Sequence, residues 1–564
     1  MNLLQIIPLI IALQGPPDPG PLMEAAAKLA TMDRATVEAI YSAQDAALAS
    51  WSPIAYPGDL DNDGDVDTTD LLALLAEWSK PGDQPGWSYA DIDGSGRVDV
   101  RDLLTLLGRW TDAHGWTILT PAPDTIITYV DPAGNDAANG LTPQAAVRTL
   151  AEGVRRLRPG SADWLLLKRG GEWTGNLGTW AKDGRSASER VVVAYYGQGA
   201  RPKVNAGAQL LTGWNGLSHV AFVGLEIEGN GGDDLVDIRP GPGKVVEDVL
   251  WEDMDMHGGA RAFLFDGTSG SSPTRIRGIT IRRSHLHHNG ADQDNKQAIY
   301  SWNARLLVDE CVIDFNGVFA DGSFHGHNHG VYMDGDSGGC GYTLTRLLVT
   351  RNGAQGFKMQ PGGSDSHAIR DCLAALQPIH MGVGGRHSSQ TEKGGLRIDI
   401  AGNVLVEATR NGWGIVLNNI ESGVVSSNIV AHNLNPPGNA ILAGDPMFSS
   451  DGVGVFCAIV GNVLHNWGSG IAVRPGGPYD IQIADNWSDQ PTVGGTLAGV
   501  ALDEQPAPPT YRNPDMTLTT WLAGRGLSLD QWMAQIRGGT RQTGWIGWQD
   551  AMAAFREAYS EASE

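Results

Sequence analysis

Beyond Val191 the chain repeats one short pattern, a run of alternating apolar residues closed by a turn that carries asparagine or histidine. The closures fall at Asn230-Gly231, His257-Gly258, Asn289-Gly290, Asn316-Gly317, Asn352-Gly353 and Asn411-Gly412, then at Asn433 and Asn466. Neighbouring closures are 27, 32, 27, 36, 59, 22 and 33 residues apart, and 59 accommodates two turns with one closure unmarked. Runs such as Ile276-Arg277-Gly278-Ile279-Thr280-Ile281 alternate as half-buried strands do. A unit of this size cannot bury its own apolar side, so stacking on its neighbours must supply the core, and the pattern predicts a solenoid of stacked coils. A β-sandwich shares the alternation but not this register. The recurring asparagines read as ladder and turn residues rather than ligands, and 75 glycines with 18% charged residues agree with a turn-rich β architecture.

The start of this region reads Tyr129-Val130-Asp131-Pro132-Ala133-Gly134-Asn135-Asp136, then Gly140-Leu141-Thr142-Pro143 and the helix-like Thr149 to Val154, then a strand from Asp163 to Lys168. It resembles the N-terminal cap of secreted right-handed parallel β-helix proteins of the pectin-lyase-like kind. A cap is needed because the open end of a stacked sheet exposes unpaired backbone groups. The resemblance implies a mainly β fold, a right-handed parallel β-helix over residues 128–500, with its stack ending near Trp487. Residues 501–564 read as a proline-rich linker and a helical tail carrying Trp521, Trp532, Trp545 and Trp548. Such a tail is expected to cover the C-terminal end of the stack, the alternative being that its aromatics bind sugar rings.

Upstream, one acidic twelve-residue loop is written twice, from Asp59 to Asp70 and from Asp91 to Asp102. Oxygen-bearing side chains occupy loop positions 1, 3, 5, 9 and 12, with glycine at 6, the spacing of an EF-hand loop that wraps calcium in oxygens around a sharp turn. The candidate metal residues are Asp59, Asp61, Asp63, Asp65, Asp67 and Asp70 in the first copy and Asp91, Asp93, Ser95, Arg97, Asp99 and Asp102 in the second. Val66 and Val98 at position 8 can pack between paired loops. Each loop runs into an apolar helical face, Leu71 to Leu75 ending at Trp78 and Leu103 to Leu107 ending at Trp110. Both loops close with aspartate instead of glutamate and carry a helix only on the far side, which resembles the type I dockerin domain. The resemblance covers about residues 57–110 of a calcium module bounded at residues 57–112, and implies two Ca2+ ions and a cohesin-like protein partner, on a chain of the kind secreted to degrade polysaccharide. Thr68-Thr69 in one copy and Val100-Arg101 in the other break the usual two-fold symmetry of binding. The alternative is a calcium-stapled spacer without a cohesin.

Residues 1–21 join an apolar stretch, Leu3 to Leu13, to a proline-rich linker, and residues 22–56 have helical periodicity. The stretch is too short to span a bilayer and reads as an export signal lacking a basic n-region, or else as a retained hydrophobic segment. The expected location is therefore secreted or at the cell surface. The net charge of −24 argues against nucleic acid as a partner. Residues 57–110 contribute twelve acidic and four basic residues to that balance, so about a third of the excess is calcium-ligand chemistry. Cys311, Cys340, Cys372 and Cys457 are scattered and read as buried free thiols, with a disulfide as the alternative.

Ten of the fourteen histidines lie between His257 and His387, in coils expected to stack. Residues one coil apart in a parallel stack sit about 4.8 Å apart, so remote polar groups are expected to meet in one groove. The catalytic candidates are His327, His329, Asp334, Asp336, Lys358 and Arg386, and the substrate-binding candidates are His287, His288, Arg351 and His387. Elimination would use a base beside a carboxylate held by a cation, for which Lys358, Arg386 or a histidine is available. Hydrolysis would use two carboxyl groups across the bond, for which Asp314, Asp321, Asp334 and Asp336 are available. His325, His327 and His329 at every second position leave a further metal in the groove open. The ordered motifs of the pectin hydrolases are absent beyond Asp233-Asp234. The sequence thus points to a secreted, calcium-binding, carbohydrate-active protein that cleaves or modifies a polysaccharide, as a lyase or a glycoside hydrolase. The alternative is a non-catalytic glycan-binding adhesin or phage tailspike-like protein. A monomer is expected of the enzyme and a trimer of the tailspike.

Overall fold

The computed structural model describes residues 66, 68–77, 98, 103, 106, 116–267, 275–290, 294–319, 321–335, 340–361, 366–384, 396–409, 412–434, 438–444, 454–474, 479–492, 498–503 and 505–562. The chain divides into two compact units, residues 1–123 with 186–189 and residues 124–185 with 190–564. In the first unit, helix α1 spans Thr68–Glu77 and buries Leu71, Ala73 and Leu74. Leu103 and Leu106 of the second copy are likewise helical and buried. The candidate N-terminal helix and export segment lie outside the described residues.

The second unit is a right-handed parallel β-helix. Its strands form three wholly parallel sheets of fourteen, twelve and eleven strands, and each coil places one strand in each sheet in turn. Sheet 1 runs from Ile127–Val130 to Val500–Leu502, sheet 2 from Glu172–Thr174 to Trp487–Ser488, and sheet 3 from Gly178–Thr179 to Ser469–Val473. The register advances 36 residues from Leu306 to Tyr342 and 24 from Ile459 to Ile483, within the range the turn spacing predicts. Helix α2, Leu150–Arg156, starts at the Thr149 cap and joins Leu150 to the first part of the core.

The core is built in columns. On sheet 3, Val236, Phe263, Ile299, Val331, Phe357, Met381, Ile415, Ile441 and Ile471 occupy one inward position on successive coils, all buried. Each such side chain is worth about 1.5–3 kcal/mol of burial, which no single coil could realise alone. The four cysteines are buried free thiols.

Both corners flanking sheet 2 turn on a residue with positive φ followed by a buried side chain. Between sheets 1 and 2, Gly402, Ser427, Gly461 and Asp485 take φ of 67, 56, 64 and 55°. The asparagines that follow form a ladder, Asn403 Nδ2 donating to Asn428 Oδ1 at 2.9 Å, Asn428 to Asn462 at 2.9 Å and Asn462 to Asn486 at 2.8 Å. Earlier coils fill the same corner with Cys311 and Cys372, and the Cys372 N–H donates to Asn403 Oδ1. A second ladder at the corner between sheets 2 and 3 joins Asn289, Asn316 and Asn352, with Nδ2 to Oδ1 distances of 3.1 and 3.0 Å. The closures at Asn289, Asn316 and Asn352 are therefore rungs of one ladder, as expected of turn asparagines.

The C-terminal tail forms α3 (Leu518–Ala523), α4 (Leu529–Gly538) and α5 (Gln549–Ala558), the first two opened by capping boxes at Thr517 and Ser528. Its position corrects the expectation that it covers the end of the stack. Leu518, Trp521, Trp532, Met533, Ile536 and Phe555 pack on Val312, Leu348, Leu373, Val404 and Ile429, so the tail lies along the outer face of sheet 2. The reason is legible in one outward row of that sheet. Its early coils carry Glu172, Lys203, Glu226, Asp255 and His285, and its later coils carry Val312, Leu348, Leu373, Val404 and Ile429. An apolar strip of that length on an outer sheet face needs a cover. At its far end the tail is tied down by the ion pair from Arg541 to Glu252 at 2.6 Å and by Arg201, which pairs with Asp253 and donates to the Gly539 carbonyl at 3.0 Å.

Candidate functional site in the sheet 3 trough

With sheet 2 roofed by the tail, sheet 3 presents the outer face with the richest chemistry. Alternation along each strand turns every second side chain outward. One outward row reads Asp237, Leu264, Tyr300, Tyr332, Lys358, Gly382 and Val416 on successive coils. The parallel row two residues on reads Asp266, Trp302, Asp334 and Gln360, with Gly384 and Asn418 beyond. Tyr300 and Tyr332 meet edge to face at 5.3 Å, and the Tyr332 hydroxyl donates to Gln360 Oε1 at 3.1 Å. Arg261 lies over the Tyr300 ring while donating to both oxygens of the buried Asp234 at 3.0 Å. The result is an aromatic floor flanked by carboxylates.

Asp237 differs from an ordinary surface carboxylate. Burial pushes its carboxyl up to about 6, against the opposing pull of Arg239, whose Nε sits 2.9 Å from Oδ1, while Asp234 and Asp233 add to the rise. A carboxyl group that keeps its proton to that pH can donate it.

Of the catalytic candidates read from the sequence, Asp334 and Lys358 stand together on this face, on adjacent coils. His329 begins the same strand as Asp334 but is buried, and burial, reinforced by Lys358, depresses its basicity well below the usual range. His327 is exposed in the preceding turn, its Nδ1 3.5 Å from Asp294. Asp336, Arg386 and His387 lie outside the described residues.

The expectation of a single groove is corrected by His287, His288 and Arg351. All three lie on the sheet 2 side, because the ladder asparagine marks the corner between sheets 2 and 3 and residues just before it belong to sheet 2. His287 Nε2 is 2.9 Å from Asp255 Oδ1, and its Nδ1 is 2.9 Å from His288 Nδ1. Arg351 donates to the buried Asp314 and pairs with Asp530 of α4, so it anchors the tail. Asp314 is thereby committed, and Asp321 caps an exposed turn at Ser323. Among the described residues no three His, Cys, Asp or Glu side chains are gathered as they would be around a metal ion, His325, His327 and His329 included. Trp521, Trp532 and Trp548 are buried in the cluster between the tail and sheet 2 rather than offered to sugar. Sequence reasoning missed Asp237, Asp266, Tyr300 and Trp302. The signal was the parity of each strand, since Asp266 directly follows the inward Phe265 and Trp302 the inward Ser301.

The duplicated loops belong to the other unit. Helix α1 begins where the first loop closes, with Asp70 wholly buried in its first turn and Val66 wholly buried before it. The dockerin type I domain matches residues 57–109. This segment is a dockerin type I domain. In the dockerin segment a carboxylate sunk into the first helical turn fits a hard-cation ligand, and Asp70 would hold calcium there. The other candidate ligands from Asp59 to Asp67 and from Asp91 to Asp102 lie outside the described residues.

No curated protein matches the chain. Among solved structures it is similar to a GH136 lacto-N-biosidase from Eubacterium ramulus, at 11% identity and a TM-score of 0.34 over 68% of this chain and 67% of that one. It is also similar to the periplasmic alginate epimerase AlgG, at 9% identity and a TM-score of 0.32 over 63% and 82% of the two chains. A third is the pectate lyase Pel9A, at 13% identity and a TM-score of 0.29 over 72% and 85%. At these levels the similarities carry no assignment of activity.

Proposed function

We propose that this is a secreted, calcium-binding glycoside hydrolase that cleaves a polysaccharide laid along the outer face of sheet 3. The observation that carries the reading is Asp237, a carboxyl group held protonated to about pH 6 on the same face as Asp266 and Asp334. Asp266 lies one coil on from Asp237 and two residues further along, a backbone spacing of about 8 Å. Inverting hydrolysis uses carboxyl groups roughly 6.5–9.5 Å apart, with room for a water beside the sugar. In this reading Asp237 protonates the leaving oxygen and Asp266 accepts the proton of the attacking water. Asp334 and the Tyr300, Trp302 and Tyr332 rings bind the chain. The dockerin segment would hold two Ca2+ ions and dock a cohesin-like partner, holding the catalytic unit where its polymer is.

Digestion of a polysaccharide panel tests the reading. Hydrolysis releases reducing ends with no rise in ultraviolet absorbance, and Asp237→Asn lowers kcat by at least about a hundredfold. A rise in absorbance, from a new unsaturated end, would replace hydrolysis with elimination. Binding without cleavage would make the protein an adhesin.

A further inference from the structure

The trough does not end at Asp237. Thr212 pairs with Asp237 on the coil before it, and Thr179 pairs with Thr212 on the coil before that, so the first outward row continues toward the N-terminal end in small hydroxyl side chains. The second row continues beside it. Arg239, two residues beyond Asp237, stands on the outer face with its Nε on the Asp237 carboxyl group. Trp214, two residues beyond Thr212, takes the corresponding place one coil earlier.

Trp214 is 57% exposed, more than any other large apolar side chain among the described residues. A single exposed apolar residue is ordinary on a protein surface, but this one has a built seat. A Cβ on Gly241 would lie 3.0 Å from Trp214 Cε2 and 3.2 Å from its Nε1, so the indole rests on a residue without a side chain. The seat is itself fixed. The Gly241 N–H donates to the Trp214 carbonyl at 2.9 Å, and Arg275 Nη1 donates to the carbonyls of Pro240 and Gly241, each at 2.9 Å. A flat ring held against backbone at the edge of a polar trough, and open to solvent beyond it, presents the kind of surface on which the C–H face of a pyranose stacks.

Trp214 lies one coil before Asp237 and two residues further along, a backbone spacing of about 8 Å, the same displacement that Asp266 has on the following coil. The carboxyl pair therefore has aromatic side chains on both sides along the stack, Trp214 before it and Tyr300, Trp302 and Tyr332 after it. From the coil of Trp214 to that of Tyr332 the trough runs about 19 Å. We infer that Trp214 is a sugar-binding platform on the far side of the cleaved bond, so that a chain of pyranose units lies across the carboxyl pair and is cut within its length rather than at its end. The inference deepens the hydrolase reading and rests on it.

Calorimetric titration of the Asp237→Asn protein tests this with hexamers and trimers of β-1,4-linked xylose, β-1,4-linked mannose and α-1,4-linked galacturonate. At least one hexamer is expected to bind about tenfold more tightly than its trimer. Trp214→Ala should cancel that gain and leave the trimer, which fits on the side of Tyr300, Trp302 and Tyr332, unchanged. Wild-type cleavage of the matching polymer should yield long fragments first. A hexamer that binds no more tightly than its trimer, a gain that survives Trp214→Ala, equal loss for hexamer and trimer, binding of no probe, or release of one short product from the start overturns the platform. The two readings fail separately. A wild-type protein that hydrolyses a polymer while its hexamer shows no advantage loses the platform alone, and one whose hexamer advantage depends on Trp214 but which cleaves nothing loses the hydrolase alone.

Discussion

The Tyr559 hydroxyl lies 2.7 Å from His432 Nε2, joining the end of the tail to a late coil of sheet 2. Asn466 Nδ2 lies 3.1 Å from His432 Nδ1, and as the amide can only donate, the ring's proton is placed on Nε2. That N–H donates to the Tyr559 oxygen, whose own proton goes to the carbonyl of Pro514 or Met516, each 3.1 Å away. The arrangement requires a neutral imidazole, and burial, with His465 nearby, does lower the basicity of His432. At the other end of the tail His285 stacks on Trp545 and is pushed down to about 3 by burial.

The tail should therefore loosen in acid. A histidine whose basicity is lower in the folded than in the unfolded chain contributes stability in full above the ordinary value of 6.5, and the contribution drains away as pH falls below it. Hydrogen exchange over α3 to α5 should show protection at pH 7 that declines between pH 6.5 and about 3. Tyr559→Phe should lower tail stability by about 1–3 kcal/mol. Uniform protection of tail and sheets at every pH would refute the histidine latch.

The asparagine ladder makes a second prediction. Asn428 Nδ2 also donates to the Ile400 carbonyl, and its Oδ1 accepts both the amide and the backbone N–H of Asn403. Asn428→Ala strands several buried groups at once, at about 1–3 kcal/mol each. Denaturant unfolding should show a loss of several kcal/mol, whereas Asn230→Ala, at an exposed turn outside both ladders, should be within about 0.5 kcal/mol of wild type.

The coil repeat was legible because a parallel stack imposes alternation and a recurring corner. The ladder between sheets 1 and 2 went unread because its corner takes positive φ at Gly402, Ser427, Gly461 and Asp485, four residues with only two glycines among them. The marker there is the asparagine before a β-branched run, as in Asn403-Val404, Asn428-Ile429 and Asn462-Val463. The site was harder. Histidine density drew attention to His285, His287 and His288, yet which sheet a residue joins depends on which side of the corner it falls, and a one-residue shift turns it to the other face. Asp334 and Lys358 fall on the outer face of sheet 3 because they stand in strands of clear alternation. Asp237 carries no local signature, since its weakened acidity comes from burial and from Asp233 and Asp234 beside it.

Calcium should stabilise the dockerin unit and leave the β-helix unchanged. Ligand carboxylates in both loops repel one another without the ion, so binding is linked to folding of the loops. Chelation should abolish a low-temperature transition in calorimetry while the main transition stays within a degree or two. Asp70→Ala should cut the calcium stoichiometry from two to one. Calcium-independent melting of the whole chain would remove the metal from these loops.

The pH dependence of cleavage tests Asp237 most directly. A proton donor that titrates at about 6 gives kcat/KM an alkaline limb near that pH, because the rate falls as the free enzyme loses the proton. Arg239 opposes the rise, so Arg239→Gln should move the limb to higher pH. Asp233→Asn removes a neighbouring negative charge and should move it to lower pH. Opposite shifts from two residues flanking one carboxyl group are hard to produce by general destabilisation, which would lower the profile without translating it. A limb that stays fixed in both variants would assign the proton to another group on the trough.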